Sequence, residues 1–258
     1  MEEIVKWTFS EDIPFLSVHI KPLIMTWVVL LILVAFFLLG TRKLTSGKPG
    51  KFQNLLEWIV DFVKGLVAEN MDYKKAAGLL SYLVTLIVFV FFSNLIGLVP
   101  NFVAPLLKNV TAGGLNQAFG HATLQSPTAD VNVTLGLALL TIILVFAMGI
   151  KTKKGKFFKH FLEPFPFFLP IHIIDYIAKP MTLAFRLFGN IFAGETLVVL
   201  LLMLAHQANL WLAVGGTVGA IPFLAVWIAF SIFIGAIQSF VFTVLTIAYV
   251  GQAVAEDH

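Results

Sequence analysis

Residues 179–195 read KPMTLAFRLFGNIFAGE, and they lead into a run from Thr196 to Ala255 that carries no charged side chain. At the centre of the quoted stretch stands Arg186. A guanidinium stays protonated at any biological pH, so it cannot become neutral to enter an apolar phase. Placing it in mid-membrane costs about 2.5–3.5 kcal/mol on insertion scales. Either Arg186 is structural, paired with Asp175 or Glu195 or reaching the membrane surface, or it has a function inside the membrane.

The composition of the whole chain points to the same environment. Of its 258 residues, 59% are hydrophobic and 12% are charged, whereas soluble domains carry about 25% charged residues. A soluble protein of this length could not bury so much apolar surface, so we predict a polytopic membrane protein. The net charge of +3 is small, and nucleic acid is not an expected partner. The absence of cysteine excludes disulfides, thiolate metal sites and a cysteine nucleophile.

Uncharged runs of about the right length predict three membrane spans, at residues 23–40, 76–100 and 131–150. Residues 52–73 have a different pattern, because apolar side chains recur at helical spacing while charged ones fall mainly on the other side. This pattern predicts an amphipathic helix that lies at the membrane surface or packs on a partner.

The last third of the chain, residues 171–253, is too long for two perpendicular crossings. Either Gly215–Gly216 and Pro222 introduce breaks, or the segment forms a hairpin of two long, strongly tilted helices. A symmetric hairpin would bring Arg186 and Gln238 to the same depth. We therefore predict an all-α polytopic membrane protein with a single membrane domain over residues 1–258. It has about five membrane-embedded helices, including the tilted C-terminal hairpin, and one interfacial amphipathic helix.

Basic residues are distributed unevenly between the two sides of the predicted bundle. Only Lys6, Lys21 and Lys108 lie on the side of the N-terminus. The opposite side carries twelve: Arg42, Lys43, Lys48, Lys51, Lys64, Lys74, Lys75, Lys151, Lys153, Lys154, Lys156 and Lys159. Because cytoplasmic loops are enriched in lysine and arginine, we predict that the N-terminus lies outside and the C-terminus in the cytoplasm.

A polar stripe recurs at intervals of three or four residues along the last third of the chain. It comprises Asp175, Lys179, Thr182, Arg186 and Asn190, which share one face of a helix. Lipid cannot satisfy such side chains, so the stripe must face protein, water or a partner. Asp175 and Lys179 have the spacing of an ion pair within one helix. If this pair lies at the membrane surface, its presence needs no functional explanation.

Other polar residues in this region are candidates for proton transfer. Glu195 follows Arg186 by about 13 Å along a helix and about half a turn out of phase, so it does not simply neutralise the arginine. A carboxyl in apolar surroundings suits a proton relay. His172 and His206 could carry protons near neutral pH, but two isolated histidines make a poor metal site. For Gln238, a packing hydrogen bond between helices is as good an explanation as a role in proton transfer.

The sequence contains no phosphate-binding loop, nucleophile elbow or zinc-protease motif. We therefore expect no active site of its own, no metal and no cofactor.

The stretch Arg186–Glu195 resembles subunit a of the bacterial F-type ATP synthases. The resemblance is also carried by Asn94–Pro100 (NLIGLVP), Pro127–Thr134 (PTADVNVT), Lys179–Pro180 and Gln238–Tyr249 (QSFVFTVLTIAY). It covers the chain from about residue 75 to the end.

The resemblance implies a stator subunit in a bacterial plasma membrane. In that family two tilted helices face a rotating c-ring of hairpin subunits, each with one carboxylate, and two offset half-channels carry protons to and from the ring. Arg186 is then the charge barrier between the half-channels and the partner of the ring carboxylate. Proton flow drives ring rotation and hence ATP synthesis. The implied partners are the c-ring subunits, the peripheral-stalk subunit b, the remaining ATP synthase complex and the lipid bilayer.

The predicted proton path contains seven further residues, which are Glu195, Asn190, Gln238, Asp175, His172, His206 and Ser231. At His172 some relatives have a carboxylate, and at Ser231 some have another ionisable residue. Asp175 then supplies the acidic character of the inner half-channel.

The residues alone leave two other functions open. A secondary transporter or channel could bind an anionic substrate at Arg186, but it would be expected to show internal repeats, and the sequence has none. A purely structural membrane anchor would leave the polar stripe without a purpose.

Overall fold

The computed structural model describes residues 6–8, 17–42, 44–45, 47–71, 78–97, 126–154, 167, 169–207 and 217–255. Two short strands, β1 (Lys6–Thr8) and β2 (Ser17–His19), pair antiparallel with Trp7 opposite Val18. Apart from these strands, the secondary structure of the described residues is helical, which confirms the predicted all-α polytopic class.

Among the described residues, six α-helices follow the strands in chain order. They are α1 (Ile20–Thr41), α2 (Lys51–Asn70), α3 (Leu80–Ile96), α4 (Val131–Lys153), α5 (Leu169–Gln207) and α6 (Thr217–Val254). A 3-10 turn, Pro127–Ala129, precedes α4. By length and composition, α1, α4 and the part of α6 from Val226 onward can each cross a membrane, and α3 is a shorter apolar helix.

The two C-terminal helices are continuous. α5 has 39 residues and contains Pro180, whereas α6 has 38 and contains Pro222. At 1.5 Å per residue each is nearly 60 Å long, about twice the thickness of the hydrocarbon layer. Pro222 therefore introduces no break, and helices of this length fit a bilayer only when strongly tilted. Gly215 and Gly216, the other predicted break, lie outside the described residues.

The chain divides into two compact units. One comprises residues 30–89, 134–186 and 239–258, and its core is a cluster of buried aliphatic side chains. The core residues are Val63, Val67, Leu79, Leu83, Val84, Val145, Ile247, Val250, Ala253 and Val254. A hydrogen bond of 3.1 Å between the Tyr82 hydroxyl and Thr141 Oγ1 joins α3 to α4 in this unit.

Two glycines allow the helices of this unit to approach closely. A Cβ on Gly40 of α1 would overlap the Leu56 side chain of α2, and a Cβ on Gly251 of α6 would lie 3.0 Å from the Asn70 carbonyl oxygen. The first turns of the amphipathic helix α2 are hydrogen-bonded to Thr45, which precedes the helix. Gln53 Nε2 donates to the Thr45 carbonyl at 3.0 Å, and Gln53 Oε1 accepts from the Thr45 amide at 3.1 Å.

The faces of α2 are sharply divided. Gln53, Leu56, Val63 and Val67 are buried against the unit. A second apolar face is exposed and includes Phe52, Leu55, Trp58 and Phe62. Exposed Glu57 and Asp61 lie on the remaining polar side. This arrangement of a packed, an apolar and a polar face suits a helix at a membrane surface.

The other unit comprises residues 1–29, 90–133 and 187–238. Its described interior is polar where the end of α3, the 3-10 turn and the middle of α6 meet. Ser93, Asn94, Ser126 and Thr128 are all buried there.

Candidate functional site

The polar stripe lies on one face of α5, beside the residues that pack on the protein. The packed face consists of Pro180, Leu183, Ala184 and Leu187. Asp175, Thr182, Arg186 and Asn190 are exposed, and Lys179 and His172 are half-buried. The stripe is therefore exposed at the surface of this chain and is not buried by internal packing.

The beginning of the stripe contains an ion pair. Lys179 Nζ lies 2.8 Å from Asp175 Oδ2, with the lysine side chain 18% exposed and the aspartate side chain 57% exposed. The same ammonium lies 4.7 Å from the ring centroid of Tyr176 and 5.5 Å from that of Tyr249. A cation over two aromatic faces with a carboxylate beside it is held in one place. Lys179 thus joins α5 to the C-terminal end of α6.

Tyr176 extends this contact to a third helix. Its ring centroid lies 5.0 Å from that of Phe146 on α4. The start of α5 is therefore held by aromatic packing from α4 and α6, while the Asp175 carboxylate remains accessible.

Arg186 lies two turns after Lys179 on the same face. Its side chain is exposed, and among the described residues it makes no hydrogen bond or ion pair. It lies within electrostatic reach of the Tyr249 phenol, as does Asp175. In particular, Asp175 pairs with Lys179 and not with Arg186. The structural interpretation in which Asp175 neutralises the arginine is therefore excluded.

The middle of α6 combines a buried polar side with an exposed apolar side. Gln238 and Ser239 are buried, and Ser231 is half-buried. Thr243 Oγ1 donates to the Ser239 carbonyl and Thr246 Oγ1 donates to the Phe242 carbonyl, each at 2.8 Å. These two threonine hydroxyls are satisfied within their own helix.

The exposed side of α6 is aromatic and aliphatic. It consists of Val226, Phe230, Ile232, Phe233, Ile237 and Phe240. The exposed side of α6 is therefore apolar, whereas the exposed stripe of α5 is charged.

Two predicted path residues fall where side chains are not described. Glu195 and His206 belong to α5, but their side chains lie outside the described residues. Because α5 is continuous, Glu195 is displaced from Arg186 by about 13 Å along the helix axis. Within the described part of the chain, no group of three or more His, Cys, Asp or Glu side chains could hold a metal ion.

Comparison with known proteins decides the family. A family profile described as "ATP synthase A chain" matches residues 23–251. The ATP synthase subunit a of Bacillus subtilis is 40% identical over 248 residues, which cover 94% of this chain and 95% of the relative. The corresponding protein of Bacillus velezensis is 40% identical over 252 residues, with 96% and 97% coverage. That of Desulforamulus reducens is 39% identical over 243 residues, with 94% and 82% coverage.

The chain belongs to the ATP synthase A chain family. The predicted family is confirmed, and with it the broad role of the chain as an a-type subunit of the membrane sector of an ATP synthase complex, in a bacterial membrane. ATP synthesis and proton transport are the processes to which such a subunit contributes.

In this member of the ATP synthase A chain family, several polar contacts involve residues that sequence reasoning passed over. Tyr176 and Tyr249 hold Lys179. Tyr249 ended one of the motifs that carried the resemblance, but the spacing of a tyrosine in a helix does not reveal which cation it will meet. Asn94 and Thr128 also lay within quoted motifs, and the structure brings them together through a 2.7 Å hydrogen bond.

Proposed function

We propose that this chain is the stator subunit a of a rotary F-type ATP synthase, and that it forms two offset proton half-channels against a c-ring. Arg186 is the charge barrier between them and pairs transiently with the ring carboxylate. The observation that carries the proposal is the exposure of Arg186 on a long apolar helix of a membrane protein. A permanent cation in that setting needs a counter-charge, and no described residue forms an ion pair with Arg186.

The electrostatics of Arg186 give proton flow its direction. A ring carboxylate that arrives beside a fixed cation is stabilised in its ionised form and releases its proton. An arginine cannot take up or pass on that proton, because it does not deprotonate in proteins. Protons therefore reach the opposite half-channel only when the ring rotates.

The remaining path residues lie on the two helices that face the ring in this proposal. Exposed Asp175 at the start of α5, with half-buried His172 beside it, serves the inner half-channel. Glu195 and Asn190 further along α5, and Gln238 and Ser231 on α6, serve the path near the arginine and the outer half-channel. His206 lies towards the outer end of α5. These residues carry protons to and from the ring carboxylate, and ATP is made elsewhere in the complex.

The surroundings of the chain follow from the same proposal. The exposed aromatic side of α6 and the polar stripe of α5 contact the c-ring. Peripheral-stalk subunit b prevents the chain from rotating with the ring. The N-terminus lies outside and the C-terminus in the cytoplasm, and the whole chain acts as one membrane domain.

A transporter that binds an anion at Arg186 is a weaker alternative. Such a site would be enclosed by the chain itself, whereas the Arg186 side chain is exposed.

Substitution of Arg186 by lysine tests the charge-barrier role. Lysine retains a positive charge in water, but its ammonium can give up a proton in an apolar setting. We expect Arg186→Lys complexes to assemble and to lose coupled ATP synthesis, measured in inverted membrane vesicles energised by respiration. Lys64→Arg, on an exposed ion pair with Asp61, is the matched control and retains normal synthesis. Normal synthesis in Arg186→Lys would contradict the charge-barrier role.

A further inference from the structure

A buried chain of hydrogen bonds joins three segments that are distant in sequence. Ser126 Oγ lies 2.6 Å from both the Ser93 carbonyl oxygen and Thr128 Oγ1. Thr128 Oγ1 donates to Asn94 Oδ1 at 2.7 Å, and Asn94 Nδ2 donates to the Gly235 carbonyl at 3.2 Å. We call these residues, Ser126, Thr128, Asn94 and Gly235, the clasp. It connects the end of α3 and the 3-10 turn to the middle of α6.

The direction of every hydrogen bond in the clasp is set from Gly235. Its carbonyl can only accept, so the Asn94 amide must present Nδ2 to it and Oδ1 to Thr128. Thr128 must then donate its single hydroxyl proton to Asn94. The Ser126 proton is shared between the Ser93 carbonyl and Thr128. Because Asn94 and Thr128 are at most 2% exposed, water cannot replace these partners.

Gly235 permits this close approach. A Cβ at that position would lie 3.2 Å from the Asn94 Cβ, which is tighter than an ordinary van der Waals contact. Any larger residue at 235 would push α6 away from the Asn94 amide. Small residues commonly serve this purpose where membrane helices cross, and an asparagine then adds a hydrogen bond between the helices.

The clasp contacts α6 just before a residue of the proposed proton path. Gln238 follows Gly235 by three residues, about 4.5 Å along the helix, and is itself buried. We propose that Asn94 is a positioning residue for Gln238, since its bond to the Gly235 carbonyl fixes the turn of α6 from which Gln238 projects. Any effect of Asn94 on proton transport rests on the proposed function, because it is the proposed function that assigns Gln238 to the proton path.

The absence of cysteine from the chain makes a direct test possible. A Gln238→Cys variant carries the only thiol of this subunit, and its rate of reaction with a small methanethiosulfonate reagent in the assembled complex reports how position 238 is held. We expect Asn94→Leu, a change of similar size without the amide, to alter that rate by about threefold to tenfold. This is the factor expected when one such interhelical bond is lost.

Ser93→Ala is the matched control. Ser93 is fully buried beside Asn94, but its hydroxyl has no hydrogen-bond partner among the described residues, and its carbonyl remains in the variant. It should leave the thiol reaction rate unchanged. If Asn94→Leu does not assemble, Thr128→Val and Thr128→Ser replace it, because only the serine retains the hydroxyl that orients Asn94. The rate should then change in the valine variant and be restored in the serine variant.

An unchanged thiol rate in Asn94→Leu, or an equal change in Ser93→Ala, would overturn the positioning role. The thiol measurement needs no proton transport, so the two proposals can fail separately. A changed thiol rate combined with normal ATP-driven pumping in Asn94→Leu would support the positioning role and count against Gln238 as a path residue.

Discussion

At the scale of single residues, Arg186 and Lys179 show how two cations on one helix face differ. Lys179 is mostly buried between an aspartate and two tyrosine rings, whereas Arg186 is exposed and electrostatically near one of those rings. Their spacing in the sequence makes them equivalent members of one stripe. Only the packing of α4 and α6 against the start of α5 separates a structural cation from one that is open to a partner.

Replacement of Lys179 by methionine tests this distinction. Methionine keeps the length and apolar stem but removes both the ion pair and the cation–π contacts. We expect a loss of about 1–2 kcal/mol in stability, because these contacts are partly desolvated. The measurement is the midpoint of heat-induced release of the chain from the assembled complex. Lys64→Met removes an ion pair whose side chains are 42% and 70% exposed, so it should shift the midpoint little. Equal shifts in both variants would show that Lys179 is merely another surface lysine.

Sequence reasoning found Arg186 because the cost of a permanent charge in an apolar segment can be read from composition. It did not find the tyrosines around Lys179. A cation–π contact between Lys179 and Tyr249 depends on how α5 and α6 cross, and the sequence between the two residues does not predict the geometry of that crossing.

At the scale of helices, the uncharged runs predicted where α1, α3 and α4 would occur, since length and hydrophobicity suffice to identify a candidate span. The sequence left open whether the last third was broken at Pro222, and the structure shows α6 continuous through it. A proline in a membrane helix can be accommodated by neighbouring groups. Its presence alone therefore could not decide between a break and a continuous helix.

The packing of α1 on α2 provides a test at this scale. A Cβ on Gly40 would overlap the buried Leu56 side chain. Gly40→Ala should therefore cost about 1–3 kcal/mol by overpacking, despite the better helix propensity of alanine. Leu56→Ala opens the same space. The double variant should be less destabilised than the sum of the two single changes, by the same thermal-release measurement. Strict additivity would contradict the contact.

Gly65 supplies the matched control within α2. No described atom lies within 4 Å of a Cβ built there, and the residue is exposed. Gly65→Ala should therefore be neutral or slightly stabilising, since alanine is the better helix former.

At the scale of the whole molecule, the membrane class and the family followed from composition and motifs, and both are confirmed. The clasp could not be predicted from the sequence, although Asn94 and Thr128 lie in the quoted motifs and Gly235 lies in the predicted C-terminal hairpin. Asn94 and Gly235 are separated by 141 positions, and one sequence does not disclose which distant carbonyl an asparagine will contact. Hydrogen bonds of that kind require the folded arrangement.

The polarity of the chain as a whole also depends on what surrounds it. The described exterior carries large apolar side chains on α1, α4, α5 and α6, as expected in lipid. The stripe that contains Arg186 interrupts this surface with charge. In the proposed complex the c-ring covers the stripe, and the ring carboxylate pairs with Arg186.

The most direct test of this account is ATP-driven proton pumping in inverted membranes, comparing the wild type with Arg186→Ala in an otherwise assembled complex. In the proposed mechanism, removal of the cation takes away the charge that favours the ionised ring carboxylate and separates the half-channels. We predict that pumping is abolished while the complex still assembles. Pumping at the normal level in Arg186→Ala would show that the arginine is structural and would contradict the proposed mechanism.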